Sequence, residues 1–187
     1  MKNLLRYLAV LVLAGHLTGC VGPGRNNTPG VVYDFGIPAA GLAGDRAWSR
    51  LALEVKASPA FDRRDMVYRL LYEDPLNLRD YAHSRWASAP AVLLGQHLRQ
   101  RLGLVGAGSN TAVDCLLRFE LQEFSQVFDT PQRSRGVVHG RATLVDAKRR
   151  VIAERLFAVE QASQSMDARG GVSALLVASD TLSLQLA

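Results

Sequence analysis

The chain is poor in cysteine, with two in 187 residues. Cys20 and Cys115 alone cannot build the disulfide framework that staples small secreted domains. Long apolar runs are missing as well. The longest, Tyr7 to Leu17 (YLAVLVLAGHL), is roughly half of the ~20 residues that a bilayer-crossing helix needs. No long block of like charges occurs, and the formal net charge is only +5, so nucleic-acid binding gains little support. A Gly-x-x-x-x-Gly-Lys-Ser/Thr loop is absent, which argues against ATP hydrolysis by this chain. The run Gly103-Leu104-Val105-Gly106-Ala107-Gly108 is glycine-rich but lacks the dinucleotide-binding spacing. His83, His97 and His139 are scattered, with no second ligand at metal-binding spacing. His83 adjoins Ser84, but no Gly-x-Ser-x-Gly elbow presents that serine. The carboxylates Asp62 and Asp65, and Glu73 and Asp74, flank Arg63, Arg64 and Pro75 and read as exposed strand-end charges. A non-enzymatic protein is expected, with no catalytic residue, metal or cofactor.

What the chain does have is an organised start. Met1 to Arg6 is basic, Tyr7 to Leu17 is apolar, and small residues follow, which together make a secretory signal. The signal ends in Leu17-Thr18-Gly19-Cys20, which resembles the bacterial lipobox. That resemblance implies a diacylglycerol on the Cys20 sulfur, cleavage before Cys20, and acylation of the new amine. Two or more acyl chains anchor a protein stably where one does not. Residues 1–19 are then a signal peptide, 20–30 a lipidated tether, and 31–187 one domain. Loss of Lys2 and Arg6 with the signal lowers the net charge to +3. Val21 stands where an inner-membrane retention Asp would stand under the enterobacterial sorting rule, which implies the periplasmic face of the outer membrane.

Beyond the Gly- and Pro-rich tether, Val31 to Gly36 reads as a short strand. Leu51, Leu53 and Val55 alternate with polar residues, as do Met66, Tyr68, Leu70 and Tyr72, and both runs predict half-buried strands. Residues 76–89 read as a loop carrying Tyr81 and Trp86. Pro90 opens a helix, with Ser88 as a candidate cap, and Gly103 closes it. Strands are expected over Val113–Glu123, Arg135–Val145 and Val151–Gln161. The chain should turn within Val127–Arg133 and again at Asp146–Arg150. A last helix runs from Gly170, with Val172, Leu175, Leu176, Ser179, Leu182 and Leu186 at helical spacing. The expected fold class is α+β: a mostly antiparallel sheet of about six strands with two helices packed on one face.

The order of these features resembles the ABC-type transport auxiliary lipoprotein family. They are the lipobox, Tyr33-Asp34-Phe35-Gly36, Met66-Val67-Tyr68-Arg69, Tyr81 and Trp86 before the Pro90 helix, the strand over Leu116–Phe124, and Gly170-Gly171. The resemblance implies an accessory of an envelope lipid transporter, whose partners would be an MCE-domain protein, a permease and an ATPase. Homo-oligomers are compatible with it. Two alternatives stay open. The domain itself could bind lipid in a sheet–helix cleft lined by some of Met66, Tyr68, Leu94 and Leu98, or it could regulate envelope assembly. Tyr81 and Trp86 either build the core or supply partner or lipid contact, since such rings suit interfaces.

Overall fold

The computed structural model describes residues 30–37, 50–108 and 112–187. The expected signal, Cys20 and the tether up to Pro29 lie outside the described residues. Within them are eight strands and two helices. The strands are β1 (Val31–Tyr33), β2 (Leu51–Ala57), β3 (Asp65–Leu70), β4 (Asp74–Trp86), β5 (Val105–Gly106), β6 (Cys115–Thr130), β7 (Arg133–Asp146) and β8 (Val151–Ala162). The helices are α1 (Pro90–Leu102) and α2 (Ala168–Leu186).

The long strand β6 is the spine. One edge pairs antiparallel with β7 along its length, and β7 pairs antiparallel with β8. Its other edge is shared. β2 pairs parallel with Cys115–Leu121, and β3 pairs parallel with Gln126–Phe128. Outside β2 lies β5, parallel to it; outside β3 lies β4, antiparallel, and then β1, parallel to β4. The sheet is therefore mixed, and the expectation of a mostly antiparallel sheet of about six strands is corrected. The parallel pairs of β2 with β5 and of β2 and β3 with β6 arise because the chain returns through α1 before entering β5 and β6, and such crossovers set strands parallel.

Two features hid from the sequence pattern. β4 occupies the expected loop over 76–89. Most of its residues are exposed and only Trp86 is fully buried, so it carries almost no period-two signal. β6 runs on past Glu123 because a register shift between Leu121 and Glu123 changes its phase. Before the shift Leu117, Phe119 and Leu121 face the core; after it Phe124 does. A bulge of this kind moves every later side chain to the other parity. The turn between β6 and β7 falls at Pro131-Gln132.

Both helices lie against the sheet and against each other, α1 over β2 and α2 over β6, β7 and β8. Pro90 stands in the first turn of α1, as expected, but the cap is Ala89 rather than Ser88, with no side-chain bond. Gly103 ends the helix at φ 65°, a left-handed conformation that favours glycine, and its N–H bonds the Arg99 carbonyl. α2 starts two residues earlier than expected, capped by Asp167, whose Oδ1 accepts the Gly170 N–H at 2.8 Å. The turn at Asp146–Arg150 is as expected. Asp146 Oδ1 accepts the N–H groups of Lys148 and Arg150 at 2.9 and 2.8 Å, which holds Arg149 at φ 64°. No helix among the described residues is long and apolar enough to cross a membrane.

Candidate functional site

Trp86 ends β4 and is 1% exposed. Its ring meets Phe35 edge-on at 6.0 Å and Phe124 at 5.6 Å, and Phe35 also meets the His97 ring at 5.4 Å. Trp86 therefore joins β1, β4, β6 and α1 in the core and presents no surface to a partner. Tyr81 is half-buried on the same strand. Its ring lies 4.7 Å from Tyr68, and its hydroxyl donates to Gln126 Oε1 at 2.8 Å. Gln126, itself 1% exposed, passes the contact on, donating from Nε2 to Ser134 Oγ at 2.8 Å. Burial, then the neighbouring Tyr68 and Asp167, pushes the Tyr81 phenol far above its ordinary range, so it stays a neutral donor. Tyr81–Gln126–Ser134 is a satisfied polar chain beneath the start of α2, where Gly171 passes Gln126 so closely that a Cβ would lie 2.2 Å from Oε1. The alternation of apolar residues gave no sign of this chain, because Gln126 stands on the shifted phase of β6.

Met66, Leu94 and Leu98, expected among the lining of a cleft, are at most 2% exposed and belong to the packed core; Tyr68 is half-buried against Tyr81 and Phe128. Two concavities lie elsewhere. One of about 200 Å³ sits where β1 meets α1 and includes Asp34, Phe35, Ser88, Gln96, His97 and Gln100. The other, of about 400 Å³, lies on the sheet face turned away from the helices. Its floor is a lattice of alternating charges. Arg118 bonds Glu54 at 3.2 Å, Lys56 lies 3.1 Å from Glu54, and Arg141 bonds Glu154 at 2.7 Å. These pairs are largely exposed, so each contributes little to stability.

His97 is buried between the helices. Its Nε2 lies 3.0 Å from Asp180 Oδ1, which also takes Arg101 Nε at 3.1 Å. The ring is bonded to a carboxylate and, among the described residues, carries no hydrogen bond to a nucleophilic hydroxyl or thiol. Burial lowers the His97 pKa, against the opposing pull of Asp180. The folded protein thus resists a proton that the unfolded chain accepts below about 6.5. Stability should fall as the pH drops from 7 toward 5.5, by at most about 1.4 kcal/mol per pH unit for this one group. Urea titrations at the two pH values check this, and His97→Gln should flatten the difference.

His83 is exposed on β4, and His139 lies 3.7 Å from Glu160 on the outer face. The carboxylates Asp65 and Glu73 pair with Arg63 and Arg79. Cys115 is half-buried at the start of β6. Among the described residues no cluster of three or more His, Cys, Asp or Glu could hold a metal.

The class that this geometry defines is one of fold: an eight-stranded mixed sheet with two helices on one face. No family model and no curated protein matches the chain. Solved structures do. A Xanthomonas campestris protein of the DUF330 family superposes with TM-score 0.67 at 19% identity, covering 83% of this chain and 92% of its own. An uncharacterized protein matches equally, with TM-score 0.67 at 18% identity, covering 84% of this chain and 96% of its own. A Caulobacter crescentus protein assigned as a lipoprotein aligns with 51% of this chain and 79% of its own, at 18% identity and TM-score 0.39. The first two show that the chain shares its fold with that Xanthomonas protein.

Proposed function

We propose that the protein is a lipoprotein held at the periplasmic face of the outer membrane by acyl chains on Cys20, serving as a non-catalytic accessory of an MCE-associated lipid transporter. One observation carries this reading: Leu17-Thr18-Gly19-Cys20 directly follows a basic start and a short apolar run. The order of motifs from Tyr33 to Gly171 supports the transporter assignment, with an MCE-domain protein, a permease and an ATPase as partners. Val31 opens β1 eleven residues after Cys20. At the ~3.3–3.6 Å per residue of an extended chain, the domain can stand at most about 40 Å from the lipid.

Membrane attachment tests the anchor. Cys20→Ala should fold as the wild type does, lose label from fed palmitate, and leave the outer-membrane fraction. Retention of Cys20→Ala in outer membranes would show that protein contacts, rather than acylation, hold it there. The lipid-carrier alternative has no comparable support, because Met66, Leu94 and Leu98 are packed against one another and their neighbours in the core.

A further inference from the structure

The strand β8 closes one side of the sheet. It pairs with β7 and, among the described residues, with no strand on its other side. Its two halves differ. Over Phe157–Ala162 the inner face is covered by α2, and Phe157 and Val159 are buried. Over Val151–Leu156 every residue is exposed, and Val151, Ile152 and Leu156 are 63, 55 and 64% exposed.

Exposed edges are usually guarded by lysine, proline or free charge. β8 contains no lysine and no proline. The charges at its middle are turned onto their own molecule: Glu154 binds Arg141, and the Arg155 guanidinium lies 4.8 Å from the centre of the Phe157 ring.

We propose that β8 pairs antiparallel with β8 of a second copy of this chain, about a two-fold axis through Leu156, joining two sheets into one. The register follows from charge together with the length paired, since centring on Ala153 or Ala158 also avoids like charges but pairs a shorter stretch of β8. Centring on Glu154 or Arg155 sets like charges against themselves, and centring on Phe157 sets Glu154 against Glu160. Such oppositions destabilise a pair of strands. Centring on Leu156 spans Val151 opposite Gln161 and places no like charges directly opposite. It sets Leu156 on Leu156, Ala153 on Val159, and Arg155 on Phe157. It also matches the unlike halves: the bare Val151–Arg155 stretch of each copy lies beside the helix-covered Phe157–Gln161 stretch of the other. A two-fold interface needs such self-complementarity.

The test uses the lipidated full chain. On oxidation of intact envelopes, Leu156→Cys should yield a disulfide-linked dimer, because directly opposed residues across a strand pair lie within disulfide reach. Glu154→Cys, which this register places opposite Ala158, should not. The unaltered chain, with Cys115 as its remaining thiol, should not either. By light scattering, the solubilised wild type should have the protein mass of a dimer. Leu156→Lys should have that of a monomer with an unchanged circular dichroism spectrum, as its exposed position requires, and should lose any rise of the thermal midpoint with protein concentration. A monomeric wild type, a dimer that survives Leu156→Lys, or cross-linking through Glu154→Cys instead of Leu156→Cys would each overturn the proposal. A monomer that captures an extended segment of another protein along β8 would also overturn it.

Discussion

Replacing Trp86 with alanine should lower the unfolding free energy by about 3–5 kcal/mol, the cost of removing a large aromatic from a packed core. The ring is fully buried at the end of β4 and touches Phe35 and Phe124. The Trp86 backbone N–H bonds the Arg64 carbonyl at 2.7 Å, and Arg64 Nε donates to the Trp86 backbone carbonyl at 3.1 Å, so these bonds do not depend on the ring. Loss of the ring therefore leaves a cavity where β1, β4, β6 and α1 meet. Domains of this size are stable by only about 5–15 kcal/mol, so the urea midpoint should fall sharply. Trp86→Phe, which keeps an aromatic between Phe35 and Phe124, should cost clearly less. Equal midpoints for Trp86→Ala and the wild type would mean that Trp86 is not the centre of this core.

The second large effect concerns how α2 sits on the sheet. At Gly136, on β7, a Cβ would lie 2.7 Å from the Leu175 nitrogen and 2.8 Å from the Ala174 carbonyl carbon. Those are backbone atoms of α2, so no side chain can swing aside. Gly136→Val must push the helix off the strand and loosen Gln126, which pairs with Gly136 across β6 and β7. Overpacking of this kind costs about 1–3 kcal/mol or more, and the upper end is expected here because backbone must move. Denaturant titration reads the loss. A decrease in Tyr81 burial, seen as a lower phenol pKa, should accompany it. Tolerance of Gly136→Val would contradict the close approach of α2 to β7.

The sequence was legible where one face of an element is buried and the period is unbroken. Leu51, Leu53 and Val55 marked β2, and Pro90 and Gly103 bounded α1, because burial and capping act within a few residues. The β7–β8 hairpin was equally clear, since Asp146 sets its turn locally. β4 was missed because it is bare on most positions, and its pairing with β3 and β1 comes from distant parts of the chain. The parallel pairing of β2 and β3 along one edge of β6 depends on chain path, which no local pattern encodes. The shift at Leu121–Glu123 broke the alternation in β6 and hid Gln126. Of the candidate contact residues, Trp86 proved to be core, and Tyr81 proved to be the head of a buried hydrogen-bonded chain. Aromatic type alone does not separate an interface ring from a core ring. Cys20 rests on its motif, outside the described residues.

The proposed role turns on whether the intact chain serves an envelope transporter. Affinity capture from gently solubilised envelopes, with both proteins and lipids identified, measures this most directly. Recovery of an MCE-domain protein and a permease, with no stoichiometric lipid on the domain, is the predicted result. Recovery of lipid in stoichiometric amount without those proteins would contradict the account and make the protein a carrier.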